Sequence, residues 1–238
     1  RPMSAVGQGR PEVLFPLFAG LETLPGIGPK TAQNMGQLGI TRPRDALLNL
    51  PHSGIDRQLR DTVLGANFPA TVTVQVVVGQ HRPPRSRGGA YRVVVEDSQT
   101  SFQLVFFHAR SDYLQKLLPT GQPRVVSGRV ELFDGVAQMV HPDHVLPLAE
   151  AGAIPAFEPV YPLTAGVSQK LMARAVHGAL ARVPQLPEWI DPAQKAQAGW
   201  PDWHSAMAMA HAPASPDDLA AYAPARARLA YDELMAHQ

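Results

Sequence analysis

Apolar residues along this chain follow two different periods, and the change between them falls near residue 60. Before it the spacing is helical. Val13, Leu14, Leu17, Leu21 and Leu24 lie on one stripe of residues 12–24, interrupted by Pro16, and a second helical stretch is predicted over 31–38. A third helix is predicted over 43–50, with Thr41 as its cap and Pro51 as its stop. From about residue 61 the runs become β-branched and of strand length: 71–78, 91–96 and 102–107, the last following a Ser98-Gln99-Thr100 turn. A short helix is predicted over 111–118, ending at Pro119 and Gly121. Strands at 124–131 and 136–140 then make a hairpin across Phe133-Asp134-Gly135, where Asp-Gly is a strong turn signal. In the last third an extended stretch, 159–164, precedes helices over 167–183, 203–210 and 215–237. The final helix is broken at Pro224 and opened by Ser215 with Asp218 three positions on.

Five strands with a helix between the third and fourth is the order of an OB-fold barrel, which commonly binds single strands through one sheet face and its loops. The predicted class is therefore α+β. A small N-terminal helical unit (1–60) leads into a five-stranded OB-fold β-barrel (61–148), followed by a C-terminal mixed helical connector (149–238).

Composition narrows the picture. The 238 residues are 45% apolar, enough for one or two buried cores. No apolar run approaches a membrane span, and no basic-then-apolar leader opens the chain, so a cytoplasmic protein with no membrane partner is expected. A monomer is expected as well. With no cysteine, disulfides, thiolate metal sites and a cysteine nucleophile are excluded. The net charge of +1 hides an asymmetry: +3 over 1–60, +1 over 61–148 and −3 over 149–238. A nucleic-acid surface belongs to the first two thirds.

Three groups of residues carry candidate chemistry. The turn Leu24-Pro-Gly-Ile-Gly-Pro-Lys30 opens a helix with bare backbone N–H groups and a lysine. Gly26 and Gly28 can take positive φ there, an arrangement suited to a phosphate backbone or to a plain packed hairpin. Residues 81–89, in the long first loop of the barrel, hold Arg82, Arg85 and Arg87, with Arg92 just beyond and no acid to neutralise them; each guanidinium can fork onto a phosphate, or the loop is simply solvated. Phe106 and Phe107 end the third strand, so alternation sends one ring inward and the other outward to meet a base. Tyr113 follows with Arg110 between them, either as a second stacking ring or as barrel core. His141-Pro-Asp-His144 offers too few ligands for zinc, and Glu188, Asp191, Asp202, Asp217 and Asp218 sit where helix caps are expected. No phosphate loop or catalytic motif occurs, so no catalytic residue and no bound metal are assigned.

The segments, taken in order, resemble the N-terminal portion of the RecG family of ATP-dependent DNA helicases. The resemblance rests on Leu24-Pro-Gly-Ile-Gly-Pro-Lys30, Leu38-Gly-Ile40, Asp45-Ala-Leu-Leu-Asn-Leu-Pro51, Asp56-Arg57, Val126-Ser-Gly-Arg129, Gln138-Met-Val-His-Pro142, Pro159-Val-Tyr-Pro-Leu-Thr164, Leu186-Pro-Glu-Trp189, Ala225-Arg-Ala-Arg-Leu-Ala230 and Asp232-Glu-Leu234. It implies a wedge that binds forks and Holliday junctions, with Phe107 and Tyr113 as base-stacking residues. The arginines above and Lys30 would serve the DNA backbone. It also implies an ATPase motor beginning where this chain ends, so that ATP and magnesium belong to the intact parent and no cofactor to this portion. Two departures stand out. The segment Phe106-Phe-His-Ala-Arg-Ser-Asp-Tyr113 is longer between its aromatics than is usual in the family, and Ser53-Gly-Ile55 replaces an aromatic before Asp56-Arg57. A free-standing single-strand-binding OB protein and a protein-interaction module remain the alternatives.

Overall fold

The computed structural model describes residues 10–237. Its strands are β1 (Ser53–Asp56), β2 (Leu59–Arg60), β3 (Ala70–Arg82), β4 (Tyr91–Glu96), β5 (Ser101–Phe106), β6 (Pro123–Phe133), β7 (Val136–Val140), β8 (His144–Leu146) and β9 (Phe157–Val160). The α-helices are α1 (Pro29–Gly36), α2 (Pro43–Leu48), α3 (Ser111–Leu117), α4 (Gln169–Leu180), α5 (Pro192–Ala198), α6 (Trp203–Ala210) and α7 (Pro224–Ala236). The chain divides into two compact units: residues 55–158, and the two ends of the chain, 1–54 with 159–238.

Residues 55–158 form the barrel. β3 pairs with β4 through its second half and with β6 through its first, β4 with β5, β5 with β7, and β7 with β6, which closes the circuit. One strand can serve both neighbours because β3 bends: the register slips between Val78 and His81, and a Cβ at Gly79 would lie 2.9 Å from the Val94 carbonyl oxygen. Period-two alternation sends Val72, Val74, Val76 and Val78 of β3 and Tyr91, Val93 and Val95 of β4 into the core. α3 closes one end with buried Leu114, and Leu118 follows it into the same core. At the opposite end Asp97 accepts hydrogen bonds from the Val63, Gln99 and Thr100 amides at 2.8–2.9 Å, fixing the β4–β5 turn.

The other unit has a core built from both ends of the chain. Leu17, Leu21, Leu24, Ile27, Met35 and Leu47 pack with Tyr161, Met172, Ala175, Val176 and Ala179. Residues 12–18 and 21–23 are 3₁₀ and not the α-helix predicted, since Pro16 removes a donor within the first of them. Thr41 does not cap α2. The Asp45 carboxylate does the work from inside the helix, accepting from the Thr41 and Arg42 amides at 3.1 and 3.0 Å. Gly26 takes the positive φ open to it, +75°, whereas Gly28 is extended at φ −82°. Ser168, Asp191 and Asp202 cap α4, α5 and α6. Ser215 caps nothing; Asp218 instead accepts from the Ala214 amide at 2.8 Å.

Glu188 is no cap either. Arg228, wholly buried, donates to both Glu188 oxygens and to Asp232, each at 2.9 Å, and to the Pro201 carbonyl at 3.0 Å. Those bonds hold the Glu188 carboxyl well below the usual carboxylate range, at about 2.

A buried histidine couples this unit's stability to pH. His211 Nε2 donates to the Leu47 carbonyl at 2.8 Å, so Nδ1 is unprotonated and accepts from the Tyr161 hydroxyl at 3.0 Å. Burial pushes the imidazole down to about 4 and pushes the Tyr161 phenol up. Between pH 6.5 and 4 the unfolded chain binds a proton that the folded chain refuses, so stability is full above that window and falls as pH drops through it. At about 1.4 kcal/mol per pH unit the loss amounts to roughly 3 kcal/mol. Denaturant unfolding at pH 7 and pH 4 should report that loss in the native chain, and His211→Gln should show a smaller difference between the two; equal differences would contradict the assignment.

Candidate nucleic-acid interface

The strand register gathers the predicted barrel residues at one end of the sheet. Arg82 pairs with Arg92, Arg92 with Val105, and Val105 with Val140, while one step further Tyr91 pairs with Phe106. One transverse row thus carries the root of the arginine loop and the ends of β5 and β7. Arg82 and Arg92 stand directly opposite each other, an arrangement that costs energy by like-charge repulsion. Among the described residues no carboxylate lies within 4.0 Å of Arg82, Arg85, Arg87 or Arg92. Gln80, Arg82, Pro83, Arg85 and Arg92 line a shallow groove of about 490 Å³. An anion placed there would relieve the repulsion.

The root of this loop is anchored. His81 Nε2 donates to the Leu118 carbonyl at 2.6 Å, and Nδ1 accepts from the Tyr91 hydroxyl at 2.7 Å. Gln115 donates to the same hydroxyl at 3.2 Å, so α3 and the loop share one polar network. His81 is a satisfied structural group, and the arginines beyond it hang from a fixed point.

Phe106 faces the barrel core and is 8% exposed, whereas Phe107 is 40% exposed, which settles which of the two rings points outward. His108 at φ +57° turns the chain immediately afterwards. Tyr113 on the first turn of α3 is 59% exposed, while Leu114 beside it is buried, so Tyr113 lies outside the core. Phe107, Tyr113, Arg110, Lys116 and His141 border an open cleft of about 750 Å³.

Arg110 is less free than its place in the sequence implied. It forks onto Asp112, with Nε–Oδ1 3.2 Å and Nη2–Oδ2 3.1 Å, in a pair that is solvent-exposed and therefore weak. Lys116, exposed and three positions after Tyr113 on the same helical face, is a cation that no motif in the sequence had singled out. Lys30 is exposed on α1, in the other unit, and is not among the residues bordering this cleft.

The far wall of the cleft rests on a buried charge network. Arg57 is 4% exposed and donates to Ser127 Oγ at 2.8 Å, to Asp143 Oδ2 at 3.0 Å and to Glu158 Oε2. Ser127 also bonds Thr73 Oγ1 at 2.6 Å. The His144 imidazole, 3.0 Å from Glu158, and then Arg57 hold the Glu158 carboxyl below its ordinary range. A Cβ at Gly128 would stand 2.9 Å from Met139 Cγ and 3.2 Å from Pro142 Cα, so any side chain here would have to displace the buried Met139 side chain and the backbone at Pro142. Asp56-Arg57, Ser127-Gly128 and Met139–Pro142, far apart in sequence, therefore build one shelf. Among the described residues no group of three or more His, Asp or Glu is placed to hold a metal ion.

Residues 72–146 match the family model described as an OB-fold nucleic acid binding domain. The chain is 26% identical over 233 residues to the ATP-dependent DNA helicase RecG of Acidithiobacillus ferridurans, and 27% identical over 228 residues to that of Bacillus subtilis (strain 168). These alignments cover 93% and 92% of this chain but 32% and 31% of the relatives, so the chain spans about a third of their length. A solved structure of RecG bound to a three-way DNA junction superposes with a TM-score of 0.74 at 26% identity, covering 91% of this chain and 30% of that one. In sequence and in fold, this chain is similar to the N-terminal wedge and OB region of RecG.

Proposed function

We propose that this chain binds branched DNA, as the wedge of a RecG-type helicase that splits and remodels forks and Holliday junctions. The observation that carries the proposal is the cleft itself: two outward aromatic rings, Phe107 and Tyr113, at the same end of an OB barrel as four arginines without acidic partners among the described residues. Fully paired duplex has no base to offer such rings. A junction does, because strands that part expose the faces of their terminal bases.

In the mechanism, strands separate around the barrel, Arg82, Arg85, Arg87 and Arg92 take phosphates, and the parted bases stack on Phe107 and Tyr113 so that they do not re-pair. Lys116 is placed to add a phosphate contact beside Tyr113, and Arg110 joins if a phosphate displaces Asp112. The force comes from elsewhere. The relatives carry the name of an ATP-dependent helicase, and ATP with magnesium would act in a motor outside these 238 residues, pulling duplex against the barrel.

Stacking is worth about 1–3 kcal/mol per base, or roughly five- to 150-fold in affinity. Phe107→Ala with Tyr113→Ala should therefore weaken fork binding by at least about tenfold and leave blunt duplex binding unchanged; unaltered fork binding would remove the stacking role. Phosphate contacts are read differently, through salt. Replacing Arg82, Arg85, Arg87 and Arg92 with Gln should lower the slope of log affinity against log salt by roughly 3, at about 0.7–0.9 for each phosphate no longer neutralised, and an unchanged slope would return the loop to ordinary solvated surface.

A further inference from the structure

The proposed stacking ring needs a fixed orientation, and its immediate neighbour has the means to impose one. Phe107 follows the last residue of β5, where ladder pairing has ended, and its amide N–H donates to His141 Nε2 at 3.3 Å. The two rings lie 5.9 Å apart, tilted by 47°, and the same imidazole meets Phe106 edge-on at 6.2 Å. His141 thus touches both the buried ring and the exposed one. It is itself held in an uncommon backbone conformation, φ +46°, with its own amide bonded to the Val105 carbonyl at 2.8 Å. A non-glycine residue persists at positive φ only where its surroundings over-determine it. Here the surroundings are Pro142, packed close to Gly128, and Asp143, bonded to buried Arg57.

We infer that His141 is the positioning residue of the stacking platform: its unprotonated Nε2 holds the Phe107 amide, and its ring backs Phe107 so that an unpaired nucleobase meets one preset aromatic face. The inference rests on the proposed base stacking and adds a second member to it. The hydrogen bond fixes the tautomer, since Nε2 can accept only if the neutral ring carries its proton on Nδ1. The strand that would have oriented Phe107 stops one residue earlier, so the angle of this half-exposed ring to the barrel wall falls to the imidazole. An ordered ring loses less entropy on binding than a free one, and the benefit appears in affinity for the base and not in stability of the fold.

The test is a double-mutant cycle in this chain, read by fork affinity and by fluorescence of 2-aminopurine at the branch point, which stacking quenches. His141→Ala should weaken fork binding about fivefold and relieve the quenching, and in the Phe107→Ala background it should change neither. His141→Gln, which keeps a hydrogen-bond acceptor, should restore most of the affinity, whereas His141→Phe, which keeps only a ring, should not. Thermal unfolding of each variant separates positioning from folding, for a merely structural role would follow melting temperature and not the cycle. If Phe107→Ala weakens binding but His141→Ala does not, or if the two effects simply add, the positioning role is overturned while stacking stands. If Phe107→Ala itself has no effect, stacking fails and positioning falls with it.

Discussion

Arg57 is the charge on which the geometry of the barrel's working end depends. Removing a guanidinium from water costs several kcal/mol unless partners surround it, and here Ser127, Asp143 and Glu158 do so. Because those partners come from β6, from the turn after β7 and from β9, the ion cannot be satisfied until all three are in place. The consequence reaches the surface. Asp143 fixes the turn that begins at His141, and His141 touches Phe107, so a buried charge determines where an exposed ring stands.

Two kinds of order meet at this end of the barrel. The aromatic side is tightly determined, by backbone at positive φ, by the close approach at Gly128 and by hydrogen bonds to carbonyls. On the other side the arginine loop is anchored only at its root, through His81 and Tyr91, and its outer guanidinium groups lie in solvent. Such a division suits a ligand whose base must be met in one orientation but whose phosphates can be met in several.

Much of this was legible in the sequence, and the failures have physical causes. β4 falls where its β-branched run placed it, because such a run has few other stable states, and β7 falls where the Asp134-Gly135 hairpin turn placed it. β3 runs four residues beyond its predicted end, since Gly79-Gln-His-Arg82 has the composition of a loop and becomes strand only through the bulge and the His81 anchor. β1, β2, β8 and β9 span two to four residues each, too few to display a period. The outward turn of Phe107 was half legible: alternation required one ring out, and only the register said which. His141 stands in a motif with too few ligands for zinc, and its bond to the Phe107 amide joins residues 34 positions apart, which local spacing does not show. Long-range pairs such as Arg57 with Asp143, or Glu188 with Arg228, leave no trace in local spacing, so Glu188, which resembles a cap, is a counter-ion, whereas Asp191 and Asp202 are the caps their spacing implies.

The most direct measurement is binding of this chain to a three-way fork beside single-stranded and duplex DNA of matched length, at low and at physiological salt. A wedge that reads junction geometry predicts a fork preference that survives the added salt, because stacking is not screened while phosphate contacts are. Equal affinity for fork and single strand would point to a plain single-strand-binding barrel. Weak binding to all three that vanishes at physiological salt would contradict the account, leaving the arginines as general surface charge and the cleft without a nucleic-acid role.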